Sequence, residues 1–72
     1  MAYDYSKLMG RIVEKFTTQG NFAKEMGISE HSMSNKLNNN IHFKQTEITK
    51  ACTLLEIPDA DIPAYFFTLK VQ

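Results

Sequence analysis

The sequence predicts an all-α fold, a compact arrangement of four or five short helices, and three observations predict it. Apolar residues recur at three- and four-residue steps near both ends of the chain, in Leu8, Met9, Ile12, Val13 and Phe16 and again in Ile48, Ala51, Cys52 and Leu55. The stretch from Thr18 to Asn39, TQGNFAKEMGISEHSMSNKLNN, reads as two short helices broken by a single glycine and followed by a polar loop. Pro58 and Pro63 divide the C-terminal segment into pieces too short for one long helix.

The first helix runs from Tyr5 or Ser6 to Phe16, with Lys7, Arg11, Glu14 and Lys15 outside and the apolar stripe inside. Gly10 either weakens this helix or permits close packing. Thr18 is the N-cap of a second helix, about Gln19 to Met26, that carries Phe22, Ala23 and Met26 inward. Gly27 supplies the backbone freedom to end it, and Ser29 caps the next. The third helix, about Glu30 to Asn38, turns Met33 and Leu37 to the core. This is a helix-turn-helix layout. Beyond it, Ile41-His42-Phe43 is a loop that drops Phe43 into the core, and Gln45 to Leu55 forms a fourth helix. Asp59-Ala60-Asp61 opens a single-turn helix, its acids favourable near a helix N-terminus. The run from Tyr65 to Val71 is apolar, aromatic and β-branched, and it either closes the core or pairs as an extended segment with another chain.

With 72 residues and 43% hydrophobic content the chain reads as one small domain, near the size at which a single core is barely sufficient. The one cysteine, Cys52, cannot form an internal disulfide. The absence of a signal-peptide pattern and of a bilayer-length apolar run points to the cytoplasm and to no membrane role. His31 and His42 lack a second pair of ligands at suitable spacing, so no metal site is expected. Asp59 and Asp61 are capping charges, and Cys52 on a core face is inert. Without a nucleophile, a metal set or a phosphate-binding glycine loop, an enzyme is not expected, nor any cofactor.

The formal net charge is zero, unusual for a protein that lives on DNA, because phosphate contacts supply most non-specific affinity. The distribution softens this. Residues 6 to 50 hold Lys7, Arg11, Lys15, Lys24, Lys36, Lys44 and Lys50 against Glu14, Glu25, Glu30 and Glu47, a surplus of three. The tail holds Glu56, Asp59 and Asp61 against Lys70. The third helix nevertheless begins with an acid and contains no arginine, the commonest reader of guanine.

Gln19, Ala23, the turn Gly27-Ile28-Ser29 and Met33 together resemble the Cro and repressor type of helix-turn-helix domain, the lambda-repressor-like or XRE-like family common in temperate phages. The resemblance covers roughly residues 6 to 57 and is more specific for the fold than for what the fold binds. Two departures stand out. Many members pair an arginine in the first helix with a glutamate near the end of the third, where this chain has Ile12 and Leu37, and an apolar pair can replace a buried ion pair without loss of stability. The loop after the third helix usually carries glycine, and here it is Asn38-Asn39-Asn40; asparagine tolerates the left-handed conformation.

The resemblance implies roles for particular residues. Gln19 corresponds to the phosphate-positioning residue at the start of the second helix, with Glu30, His31 and Asn35 as base-edge readers and Ser32 on the same recognition face. Ser34, Lys36, Asn38 and Asn40 are candidates for peripheral, backbone contacts. The chain as a whole, with its opening DYSKLMGRIVEKF and closing YFFTLKVQ, is similar to the short Cro-like products of temperate phages of low-GC Gram-positive bacteria, among them the modulators of repression. That similarity implies a part in the lysogeny–lysis switch, opposing a CI-type repressor by binding its DNA-binding domain, double-stranded operator DNA, or both. A stand-alone Cro-like DNA-binding repressor and an antitoxin-like dimeric module are the competing expectations, and a homodimer or heterodimer is open in each.

Overall fold

The computed structural model describes residues 2–70. Five α-helices follow in order, α1 (Ser6–Phe16), α2 (Gln19–Met26), α3 (Glu30–Leu37), α4 (Gln45–Leu54) and α5 (Ile62–Phe66), with a 3₁₀ turn, Asp59–Asp61, ahead of α5. The all-α architecture is the expected one. Its boundaries follow local chemistry. Asp4 opens α1 by accepting from the Ser6 amide (2.9 Å) and hydroxyl (2.6 Å), which holds its carboxyl below the ordinary value. At the other end Thr17 has φ of 70°, and the Thr18 amide donates to the Phe16 carbonyl at 2.8 Å. That is a γ-turn, a sharp and strained corner that lets two residues connect α1 to α2.

The Thr18 hydroxyl accepts from the Asn21 amide at 3.1 Å, and Gly27, at φ 76°, lets the Gly27 and Ile28 amides fold back onto the carbonyls of Lys24 and Ala23. Ser29 then caps α3 through the Ser32 amide at 3.0 Å. Helix α3 ends at Leu37 and α4 at Leu54, each one residue short of the sequence expectation, with Asn38 and Leu55 as their C-caps. Pro63 lies in the first turn of α5, where a missing amide costs nothing.

Leu8, Ile12, Phe22, Met33, Leu55 and Phe66 are the largest fully buried side chains, and the inward residues expected on α2 and α3 are all in this core. Burial of each such side chain contributes roughly 1.5–3 kcal/mol. Helix α1 packs on α2 and α5, and α2 packs on α3 and α4. Phe43 is half-buried, edge-on to Tyr5 and to Phe66 at 5.4 Å from each. Cys52 is buried, and burial followed by the nearby Asp59 charge pushes its thiol up.

Two expectations need correction, and one alternative falls away. Met9 and Val13, read as inward, are 38% and 59% exposed, because the neighbours of α1 cover only the narrower stripe through Tyr5, Leu8 and Ile12. Arg11, read as outside, is half-buried: its guanidinium donates to the carbonyls of Leu55 (2.9 Å) and Glu56 (3.2 Å) and to Glu14 (2.8 Å). A cation is favoured at the carboxyl end of α4, so Arg11 clamps the two helices. Gly10 supports no close approach, since a Cβ there would have no heavy atom within 4 Å.

The tail closes the core, and its extended part pairs within the chain rather than with another chain. Phe66 enters the core, and Leu69 bridges antiparallel to Tyr3 of the same chain, with the Asp4 and Lys70 amides donating to the carbonyls of Thr68 (2.7 Å) and Ala2 (3.0 Å). Val71, the end of that run, lies outside the described residues. No helix of the described residues is long and apolar enough to cross a membrane.

Candidate recognition face

Helices α2 and α3, joined by Gly27–Ser29, have the layout of a helix-turn-helix, with Met33, Lys36 and Leu37 of α3 buried. The opposite side of α3 carries polar side chains that hold one another. The Asn40 amide nitrogen donates to Asn35 Oδ1 at 3.3 Å, and Asn35 Nδ2 lies 3.3 Å from His31 Nε2. Asn38 Nδ2 donates to Ser34 Oγ at 3.3 Å, while Ser29 Oγ donates to Ser32 Oγ at 3.0 Å. The backbone reinforces the register, because the amides of Asn40 (2.8 Å) and Ile41 (3.3 Å) both donate to the Asn35 carbonyl.

Glu30, His31, Asn38 and Asn40 are exposed; Ser32, Ser34 and Asn35 are half-buried. All seven lie on α3 or the loop after it, each with hydrogen-bonding capacity left over. Gln19, half-buried at the start of α2, lies a short way off and lines a cavity of about 130 Å³ with Met9, Ile12, Val13 and Leu37. Ile12 and Leu37 thus meet on one small apolar hollow, in keeping with an apolar pair in place of an ion pair.

Lys36 is not part of this face. Its side chain is buried, 5% exposed for the residue as a whole, and its ammonium lies 3.0 Å from Glu47 Oε1 and donates to the His42 carbonyl at 3.3 Å. A four-carbon stem on the inner side of α3 cannot reach a partner's backbone, so the expected peripheral contact is withdrawn. Burial works to raise the Glu47 carboxyl, but the Lys44 amide at 2.8 Å and the Lys36 ammonium outweigh it and leave it below the ordinary value. Among the described residues no three histidine, cysteine, aspartate or glutamate side chains come together as a metal would require.

With this geometry the chain can be set beside known proteins. The model of a family described as a protein of unknown function, DUF739, matches residues 1–69. The chain belongs to this family. It is also similar to the modulator of repression of the temperate bacteriophage TP901-1 from Lactococcus lactis, whose solution structure superposes with a TM-score of 0.83 at 53% sequence identity over 100% of this chain and 97% of that one. The resemblance of the chain to phage modulators of repression is thereby shown, and this DUF739 member shares that fold. No curated protein sequence matches the chain.

Three features of this family member were not read from the sequence. Asn39, at φ 66°, is the asparagine of the triplet that takes the left-handed conformation, and its amide grips Tyr3 twice: Asn39 Oδ1 accepts from the Tyr3 amide (2.8 Å) and Nδ2 donates to the Tyr3 carbonyl (3.0 Å). This ties the N-terminal segment to the exit of α3. The exposed Met9 and Val13 put apolar surface next to Gln19. Gly20 leaves room for Glu30, whose carboxylate atoms stand 3.3 Å from where a Gly20 Cβ would be. The asparagine triplet was a visible signal for the first; the other two depend on packing between helices.

Proposed function

We propose that this protein regulates the lysogeny–lysis switch of a temperate phage by binding the DNA-binding domain of a CI-type repressor through the outer side of α3. One observation carries the reading: that side presents an acid, a histidine, hydroxyls and amides, and the single lysine of α3 is turned inward and neutralised. A surface of that kind has little to attract a polyphosphate and much to offer a basic, hydrogen-bonding protein surface. Similarity to a phage modulator of repression supports the regulatory role. Gln19, Glu30, His31, Ser32 and Asn35 make the central contacts in this reading, with Ser34, Asn38 and Asn40 at the edge; the setting is the host cytoplasm.

A second reading, direct binding of operator DNA, draws on the Asn35 amide, which has a donor and an acceptor left to offer an adenine edge. Titration of the purified protein against its own early-promoter duplex, at low and moderate salt, with and without the cognate repressor, separates them. The repressor reading expects negligible binding alone and a lowered operator affinity of the repressor in its presence. Tight, steeply salt-dependent binding by the protein alone, with repressor affinity unmoved, would replace it with the operator reading.

A further inference from the structure

Glu30 opens α3, and its carboxylate lies flat against the second residue of α2. The carboxyl carbon and both oxygens are each 3.3 Å from the position a Gly20 Cβ would take, tighter than ordinary van der Waals contact. Only glycine leaves this seat open in full. The seat is at the amino end of α2, where Thr18 Oγ1 already serves the Asn21 amide and the helix carries partial positive charge. Such an end attracts anions, and helix amino ends are among the groups that reach DNA phosphates. Here an anion of the protein's own is in place. Glu30 also has no cationic partner: the ion pairs among the described residues are Arg11–Glu14, Lys15–Glu56 and Lys36–Glu47.

We infer that Glu30, seated on Gly20, is the specificity-determining residue of the face: it repels nucleic-acid phosphates from the amino end of α2 and reserves that place for a guanidinium or ammonium group of the partner. This rests on the proposed reading that the outer side of α3 is the binding face. Discrimination between two ligands is set as much by repulsion of the wrong one as by attraction of the right one. A surface that would engage a phosphate is thereby converted into one that engages a group which itself binds phosphate, so the same carboxylate weakens DNA and strengthens the protein complex.

The test uses the full chain, its Glu30→Gln variant, which keeps the shape and removes the charge, and Gly20→Ala, which keeps the charge and displaces it by a few tenths of an ångström. Two affinities are read at low salt, one for a duplex of the phage's early-promoter region and one for the cognate repressor's DNA-binding domain, with circular dichroism to confirm folding. An acid at the first position of α3 also favours its own helix, so stability alone is uninformative. Glu30→Gln should bind the duplex about tenfold more tightly and the repressor domain about tenfold more weakly, and Gly20→Ala should move both the same way by less. Duplex affinity unchanged within about twofold in a folded Glu30→Gln protein overturns the inference. If the unmodified chain forms no repressor complex, the proposed function falls, and the duplex comparison still decides the role of Glu30.

Discussion

The two sides of α3 use polar residues for opposite ends. On the inner side, Lys36 is sunk among apolar neighbours, with its ammonium 3.0 Å from Glu47 and 6.0 Å from the centre of the Phe43 ring. On the outer side, the chain from Asn40 through Asn35 to His31 is held by contacts of 3.3 Å and is open to water. The inner groups cannot exchange partners without leaving a buried charge uncompensated. The outer ones lose little when water or a partner replaces a neighbour. A polar residue's contribution to folding and its availability for binding thus run in opposite directions along a single helix.

The largest expected effect comes from breaking the inner side. Glu47→Ala should cost about 3 kcal/mol in a urea unfolding titration, because it leaves Lys36 buried and unpaired, whereas the double change Lys36→Met with Glu47→Leu should recover most of the loss. If the single change costs under about 0.5 kcal/mol, Lys36 is reaching water by another path and the contrast between the sides weakens. Next in size is the clasp at the exit of α3. Asn39→Ala removes both bonds to Tyr3 and strains the left-handed position, so a loss of about 2 kcal/mol is expected, and hydrogen exchange at Tyr3 should accelerate.

Acid should act on the inner side too. The Glu47 carboxyl lies below its ordinary value of 4.5 in the folded chain, so on acidification the unfolded chain takes up the proton first. The stabilisation from this group is present in full above that value and is lost as the pH falls through the lower, folded-state one. Glu47→Gln should flatten that part of the stability profile; a profile unchanged by the substitution would put the acid sensitivity elsewhere. At the far end of the scale, Gly10→Ala should raise stability by about 1 kcal/mol, since its Cβ meets nothing and the helix gains rigidity. The outer substitutions His31→Ala and Asn35→Ala should change stability by less than about 0.5 kcal/mol while weakening the repressor complex.

What could be read from the sequence was what neighbours in the chain decide. The bounds of α2 are those expected, because Thr18 and Gly27 act on amides and carbonyls only a few residues away. Met33 and Leu37 are buried as their four-residue step implies. Periodicity shows how wide the apolar stripe of α1 is but not how much of it the other helices cover, which is why Met9 and Val13 were placed inward. Lys36 looked like surface because its partner, Glu47, reaches it only after α4 has docked. The pairing of Leu69 with Tyr3 likewise joins residues that are near only in the finished fold. At the candidate recognition face, the resemblance named the residues, while the contacts linking Asn40, Asn35 and His31 and the seat of Glu30 on Gly20 required coordinates.

The most direct test of the central claim is a titration of the isotope-labelled protein with the purified DNA-binding domain of the phage's CI-type repressor, followed amide by amide by nuclear magnetic resonance. The account predicts saturable shifts concentrated at Gln19 and Gly20 and along Glu30 to Asn40, with the amides around Glu47 and α5 little changed. Shifts centred on another surface, or none with the repressor domain while an operator duplex perturbs the same residues, would contradict it.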